Sequence, residues 1–124
     1  GEKTLEACSL EIAAQGHTGL IGPNGSGKTT LFKLLIRALK PSAGRISILG
    51  QAIGGYTQRE LARAIAYVPQ DSELFFPLSG FEMVMMGRLP YLPRFSRESA
   101  KDMEIVEKAM RFTETLCFAK RPVT

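Results

Sequence analysis

The residues whose types and order could do chemistry are Gly22-Pro23-Asn24-Gly25-Ser26-Gly27-Lys28-Thr29, which fit the pattern Gly-x-x-x-x-Gly-Lys-[Ser/Thr] without a mismatch. Glycines reach backbone angles closed to other residues and put no side chain in the way, so consecutive N–H groups can converge on phosphate oxygens. A helix beginning near Lys28 adds its unpaired N–H donors and the partial positive charge of its N-terminus. On this reading Lys28 reaches the β- and γ-phosphates as a flexible point charge, and the Thr29 hydroxyl coordinates a magnesium ion that bridges them. Thr30 offers a second hydroxyl for the α-phosphate. The competing reading is a glycine-rich turn that binds nothing. It requires the lysine, the hydroxyl and the flanking elements to coincide by accident, so a nucleoside triphosphate is the predicted ligand.

That chemistry needs a strand before the loop and a helix after it. Thr18 to Ile21 is a short apolar run that reads as a buried strand ending at Gly22, and Leu31, Leu34, Leu35, Ala38 and Leu39 recur at helical spacing until Pro41 stops them. Ahead of these, residues 4–13 alternate as a half-buried strand with Leu10 and Ile12 on the inner face. After the turn Pro41-Ser42-Ala43-Gly44, Arg45 to Leu49 alternate as a strand closed by Gly50. Gly54-Gly55 breaks the chain before a short helix over Thr57 to Ala64, and Ile65 to Val68 reads as another strand ended by Pro69. This alternation predicts an α/β core with some parallel strands. From Gln70 onward the pattern turns helical: an apolar loop at Phe75-Phe76-Pro77, then helical segments over Phe81 to Met86 and from a Ser96 N-cap to about Phe112. Met103, Val106 and Met110 share one face of the last helix.

The chain has 124 residues, 44% of them hydrophobic and 23% charged, which places it among globular proteins of one domain at most. The formal charge of +4 is dispersed and forms no run, which argues against nucleic acid as a partner. Cys8 and Cys117 are far apart in sequence and His17 is the single histidine, so neither a zinc site nor a disulfide framework is implied. No run approaches the roughly 18 apolar residues needed to cross a bilayer, and a cytoplasmic location is expected.

Three segments together resemble ATP-binding cassette (ABC) ATPases, whose fold is the α/β P-loop NTPase fold. Leu20 to Leu31 looks like their Walker A segment, in which Pro-Asn-Gly is habitual. Lys40 to Gly44 followed by Ile46 to Gly50 resembles the turn and strand after the first helix, and Tyr67-Val68-Pro69-Gln70-Asp71 resembles the Q-loop. The resemblance implies ATP and Mg2+ as cofactors, with Gly22, Pro23, Asn24, Gly25, Ser26, Gly27, Lys28, Thr29 and Thr30 holding the nucleotide. Thr29 and Gln70 would contact the metal, and Gln70 would also contact the attacking water. It implies a nucleotide-binding core over residues 1–70 and the Q-loop with the start of a helical subdomain over 71–124. Met86-Gly87-Arg88-Leu89-Pro90-Tyr91, followed by Ser96 and the helix containing Asp102, is similar to the subclass that energises uptake of iron–siderophore, haem and cobalamin complexes. The implied partners are transmembrane permease subunits, docking around Phe75 to Arg94, a second ATPase subunit joined through an ATP sandwich, and indirectly an external substrate-binding protein. The implied location is the inner face of the cell membrane.

The family's Leu-Ser-Gly-Gly-Gln signature, its Walker B strand with a following catalytic Glu, and its switch histidine do not occur in this sequence. Leu78-Ser79-Gly80 imitates the start of the signature but continues Phe81-Glu82, and it reads as the loop before a helix. Glu73 and Glu82 lie near the Q-loop but follow no Walker B strand. Arg121 to Thr124 resembles the stretch just ahead of the signature. The expectation is an incomplete ABC ATPase domain with no catalytic residues of its own, unable to hydrolyse ATP and marginally stable alone. The alternatives are an exporter or non-transport ATPase of the same kind, or a non-catalytic nucleotide-binding remnant.

Overall fold

The computed structural model describes residues 5–6, 8–70, 77–93 and 96–123, and these fall into two compact units, Gly1–Ile65 and Ala66–Thr124. In the first unit, helix α1 spans Lys28–Leu35 and starts directly out of the glycine-rich loop, with Gly27 as its N-cap in the left-handed region. The helix ends at Leu35, earlier than Pro41. Arg37 turns the chain at φ 59°, its N–H donates to the Leu34 carbonyl, and the Leu39 N–H reaches back to Lys33, so Ala38 and Leu39 lie outside the helix.

Strands β1 (Ser47–Ile48) and β2 (Gln51–Ala52) form an antiparallel hairpin in which Ser47 faces Ala52 and Ile48 faces Gln51. Leu49 and Gly50 make its two-residue turn at φ 50° and 81°. Two positive angles suit the right-handed twist of the flanking strands, which is why Leu49 belongs to the turn and not to the strand predicted for it. After a 3-10 turn at Ile53–Gly55, helix α2 spans Gln58–Ala64 behind a capping box: Thr57 Oγ1 accepts from the Glu60 N–H, and Glu60 accepts from the Thr57 N–H. Leu61, 2% exposed, is the buried apolar side chain of this unit among the described residues.

The segments predicted as strands at residues 4–13, 18–21 and 65–68 are not strands where the structure describes them, and the two strand pairs it contains are antiparallel. A strand exists only if a neighbour satisfies its backbone N–H and C=O groups. Among the described residues no strand of either sheet is formed with these segments. Leu10 and Ile12 are each more than half exposed rather than inward-facing, and Ile21 and Val68 are almost fully exposed.

In the second unit, β3 (Leu78–Ser79) pairs antiparallel with β4 (Pro122–Val123), and between them run α3 (Gly80–Met86), α4 (Ala100–Phe112) and a 3-10 turn at Leu116–Phe118. Met85, Val106 and Met110 form its core, with Phe81, Val84, Leu116 and Ala119 packed against them. Gly80 allows the close approach of the 3-10 turn, since a Cβ there would lie 2.7 Å from the Phe118 carbonyl oxygen. Leu78-Ser79-Gly80 is a short strand and helix cap, with Ser79 and Glu82 forming the capping box of α3.

The N-cap of α4 is Ser99, not Ser96. Ser99 Oγ accepts from the Asp102 N–H and Asp102 accepts from the Ser99 N–H, a reciprocal pair that Ser96 lacks; Ser96 Oγ instead donates to the Pro93 carbonyl. The buried face of α4 is Asp102, Val106 and Met110, at spacings of four, so Met103 is about half exposed and not part of it. Removing the cap with Ser99→Ala is expected to cost about 1 kcal/mol, read as a lower urea midpoint. An unchanged midpoint contradicts this assignment.

Candidate functional site

The site is built by one loop and the first turn of α1. Gly25 and Gly27 have φ 81° and 88°, and the Ser26 N–H closes a turn onto the Pro23 carbonyl at 3.3 Å. At Gly22 a Cβ would lie 2.7 Å from Ser26 Oγ, so the loop folds back until Gly22 meets the Ser26 side chain, which would have to turn aside for any larger residue. Gly27 is buried while the rest of the loop is exposed. The Lys28 ammonium lies across the loop, donating to the Gly22 and Pro23 carbonyls at 2.7 Å each and to Ser26 Oγ at 3.4 Å. Thr29 and Thr30 occupy the first turn of α1, with Thr29 exposed and Thr30 half-buried.

The electrostatics of this corner favour an anion. No acidic residue stands in the first turn of α1, and no side chain caps its N-terminus. The partial positive charge of the helix and the Lys28 ammonium therefore add without local compensation. Among the described residues no group of three or more His, Cys, Asp or Glu is placed to hold a metal ion. A divalent cation brought in on phosphate oxygens would meet the exposed Thr29 side chain in the first turn of α1.

The loop thus brings together Gly22 through Thr30. Gln70, the remaining predicted site residue, is exposed and belongs to the second unit. The expectations for Asp71, Glu73, Phe75 and Arg94 fall outside the described residues. Sequence reasoning missed Arg37 and Tyr56, which are linked in the first unit: Arg37 Nη1 donates to the Tyr56 carbonyl at 2.6 Å, and the Tyr56 hydroxyl donates to the Ile48 carbonyl at 2.7 Å. No periodicity marks such a pair, whose members stand 19 positions apart.

Arg88 of the second unit forms a part-buried polar anchor. Arg88 Nε donates to Asp102 Oδ1 at 3.0 Å, its guanidinium lies 4.3 Å from the Tyr91 ring centroid, and Leu92 is buried in the same loop. Asp102 Oδ2 accepts from the Ser99 hydroxyl as well as its N–H. The Ser99 hydroxyl, then the Ser99 N–H, then Arg88 hold the Asp102 carboxyl below its ordinary pKa. Thr57 does the same for Glu60, its N–H first and its hydroxyl second, and Ser79 for Glu82, its hydroxyl first and its N–H second. A carboxyl with a lowered folded pKa stabilises the fold above its unfolded value, about 4, and ceases to as pH falls through the folded value. Acidification below about pH 4 is therefore expected to destabilise the protein. Asp102→Asn should be less stable at pH 7 and show a shallower acid loss by circular dichroism. Unaltered stability of the parent between neutral pH and pH 3 contradicts this.

The sequence profile of the family described as ABC transporter matches residues 5–124. This chain belongs to the ABC transporter family. Membership implies the P-loop NTPase fold and ATP binding by the family's domain. The chain is 36% identical over 121 residues to the hemin import ATP-binding protein HmuV of Gloeobacter violaceus, covering 98% of this chain and 43% of that protein. It is 37% identical over 108 residues to the ferric enterobactin transport ATP-binding protein FepC of Escherichia coli, covering 87% and 40%. To the manganese transport system ATP-binding protein MntA of Synechocystis it is 44% identical over 95 residues, covering 75% and 35%. The ABC chain thus spans less than half the length of these curated relatives. No helix among its described residues is long and apolar enough to cross a membrane.

Proposed function

We propose that this chain is the nucleotide-binding portion of the ATP-binding subunit of an ABC importer, and that Gly22 through Thr30 hold the phosphates of MgATP. The observation that carries this reading is the placement of the Lys28 ammonium across a loop in which Gly25 and Gly27 stand at positive φ, at the uncapped N-terminus of α1. On binding, Lys28 exchanges the Gly22 and Pro23 carbonyls for phosphate oxygens, a charge-assisted contact stronger than the neutral one it replaces. The Thr29 hydroxyl takes a place on the metal and Thr30 faces the α-phosphate. Gln70 is assigned the contact to the metal and the attacking water by its place in the Tyr67-to-Asp71 segment.

The cargo proposed is a metal ion or metal chelate. The relatives include proteins named for hemin, ferric enterobactin and manganese transport, and the Arg88–Asp102 anchor gives physical form to the motif at Met86 to Tyr91. The partners proposed are permease subunits at the membrane's inner face, a second ATPase subunit and, indirectly, an external substrate-binding protein.

Phosphoryl transfer needs charge stabilisation together with a group that orients or deprotonates water. This chain's loop supplies the first, and the sequence contains no Walker B carboxylate for the second. The chain should therefore bind MgATP without turnover. Calorimetric binding with no steady phosphate release is the expected result. Sustained release that disappears in Lys28→Ala would overturn the non-catalytic assignment, and absence of binding would overturn the nucleotide site.

A further inference from the structure

None of the side chains of α1 is buried, so apolar packing does little to fix the direction in which its N-terminus, and with it the glycine-rich loop, points. The opposite end of the helix is tied. Arg37 stands just past α1 at φ 59°, where a Cβ is strained and where glycine is the usual occupant after a helix. A non-glycine residue held in that region is an observation that asks for a role. Its guanidinium donates to the Tyr56 carbonyl, and the Tyr56 hydroxyl donates to the Ile48 carbonyl in β1. Tyr56 also directly precedes Thr57, the cap of α2. Two hydrogen bonds in series thus connect the rear of α1 to the hairpin, through a residue at the entrance to α2. An eight-residue helix is only about 12 Å long, so freedom at its rear becomes tilt at its front, where the loop amides must meet phosphate oxygens.

We propose that Arg37 and Tyr56 are positioning residues for the phosphate-binding loop: they hold the rear of α1 against the β1–β2 hairpin so that the amides from Gly25 to Thr29 keep the spacing a nucleoside triphosphate requires. The proposal rests on the nucleotide reading above and extends it to residues outside the motif. Neither residue touches the ligand.

Arg37→Gly separates positioning from stability, because glycine relieves the left-handed strain while deleting the guanidinium. The expected result is a melting midpoint equal to or above the parent's, together with MgATP affinity lowered roughly three- to tenfold by calorimetry. The amide chemical shifts of Gly27 and Thr29 should move before nucleotide is added. Tyr56→Phe, which deletes only the hydroxyl, is expected to lower affinity in the same direction; should that variant not fold, Arg37→Gly decides alone. Parental affinity in Arg37→Gly, alongside a parent that binds MgATP and a Lys28→Ala variant that binds it weakly, overturns the positioning role and leaves the nucleotide site intact. An affinity loss that only tracks a lowered midpoint also overturns it. A parent that binds no MgATP overturns both.

Discussion

Lys28→Ala should weaken MgATP binding roughly ten- to hundred-fold, the loss of one charged hydrogen-bonding group worth about 1.5–3 kcal/mol. The effect should be specific to binding. Among the described residues Lys28 is tied to the Gly22 and Pro23 carbonyls and Ser26 Oγ, all on exposed residues of its own loop. Once the ammonium is gone, water can satisfy those acceptors, so the urea midpoint should stay near the parent's. Calorimetry on parent and variant, with a melt as control, checks both halves. Equal affinities would remove the loop from the binding site, and a collapse of the fold would make Lys28 a structural residue.

Met110→Ala should unfold the second unit. The side chain is 2% exposed at the centre of the cluster it forms with Met85 and Val106, and its truncation leaves a cavity that costs about 2–5 kcal/mol. A unit confined to Ala66–Thr124 gains at most about 3–5 kcal/mol from a single core of this kind. The loss is therefore comparable to the whole. Amide exchange in α4 should become fast in the variant while exchange in α1 changes little, because the two helices belong to different units. Native-like protection in α4 of the variant would show that the cluster is not what stabilises the unit.

What could be read from the residues follows how local the determining physics is. The glycine-rich loop was legible because each position is set by its immediate neighbours: positive φ at Gly25 and Gly27, a helix starting at Lys28, and the close approach of Gly22 to the Ser26 side chain. Capping was equally local, and the Ser-x-x-Asp pattern at Ser99 was in the sequence; choosing Ser96 overlooked that only Ser99 has an acid three residues on. The strands at 18–21 and 65–68 depended on partners distant in sequence, which the described residues do not supply. An apolar run states a tendency to be buried and leaves open against what. The Arg37–Tyr56 link was illegible for the same reason, since a hydrogen bond across 19 positions leaves no period to detect. Family membership rests on the profile match over residues 5–124 and does not require those segments to pair as strands among the described residues.

The most direct measurement follows the backbone amide resonances of the uniformly 15N-labelled protein during titration with MgATP. Progressive shifts at Gly25, Ser26, Gly27, Lys28 and Thr29, with α4 unmoved, are the predicted result. Saturating nucleotide that leaves those five resonances in place, or moves only residues outside Gly22 to Thr30, contradicts the assignment of this loop as the phosphate site.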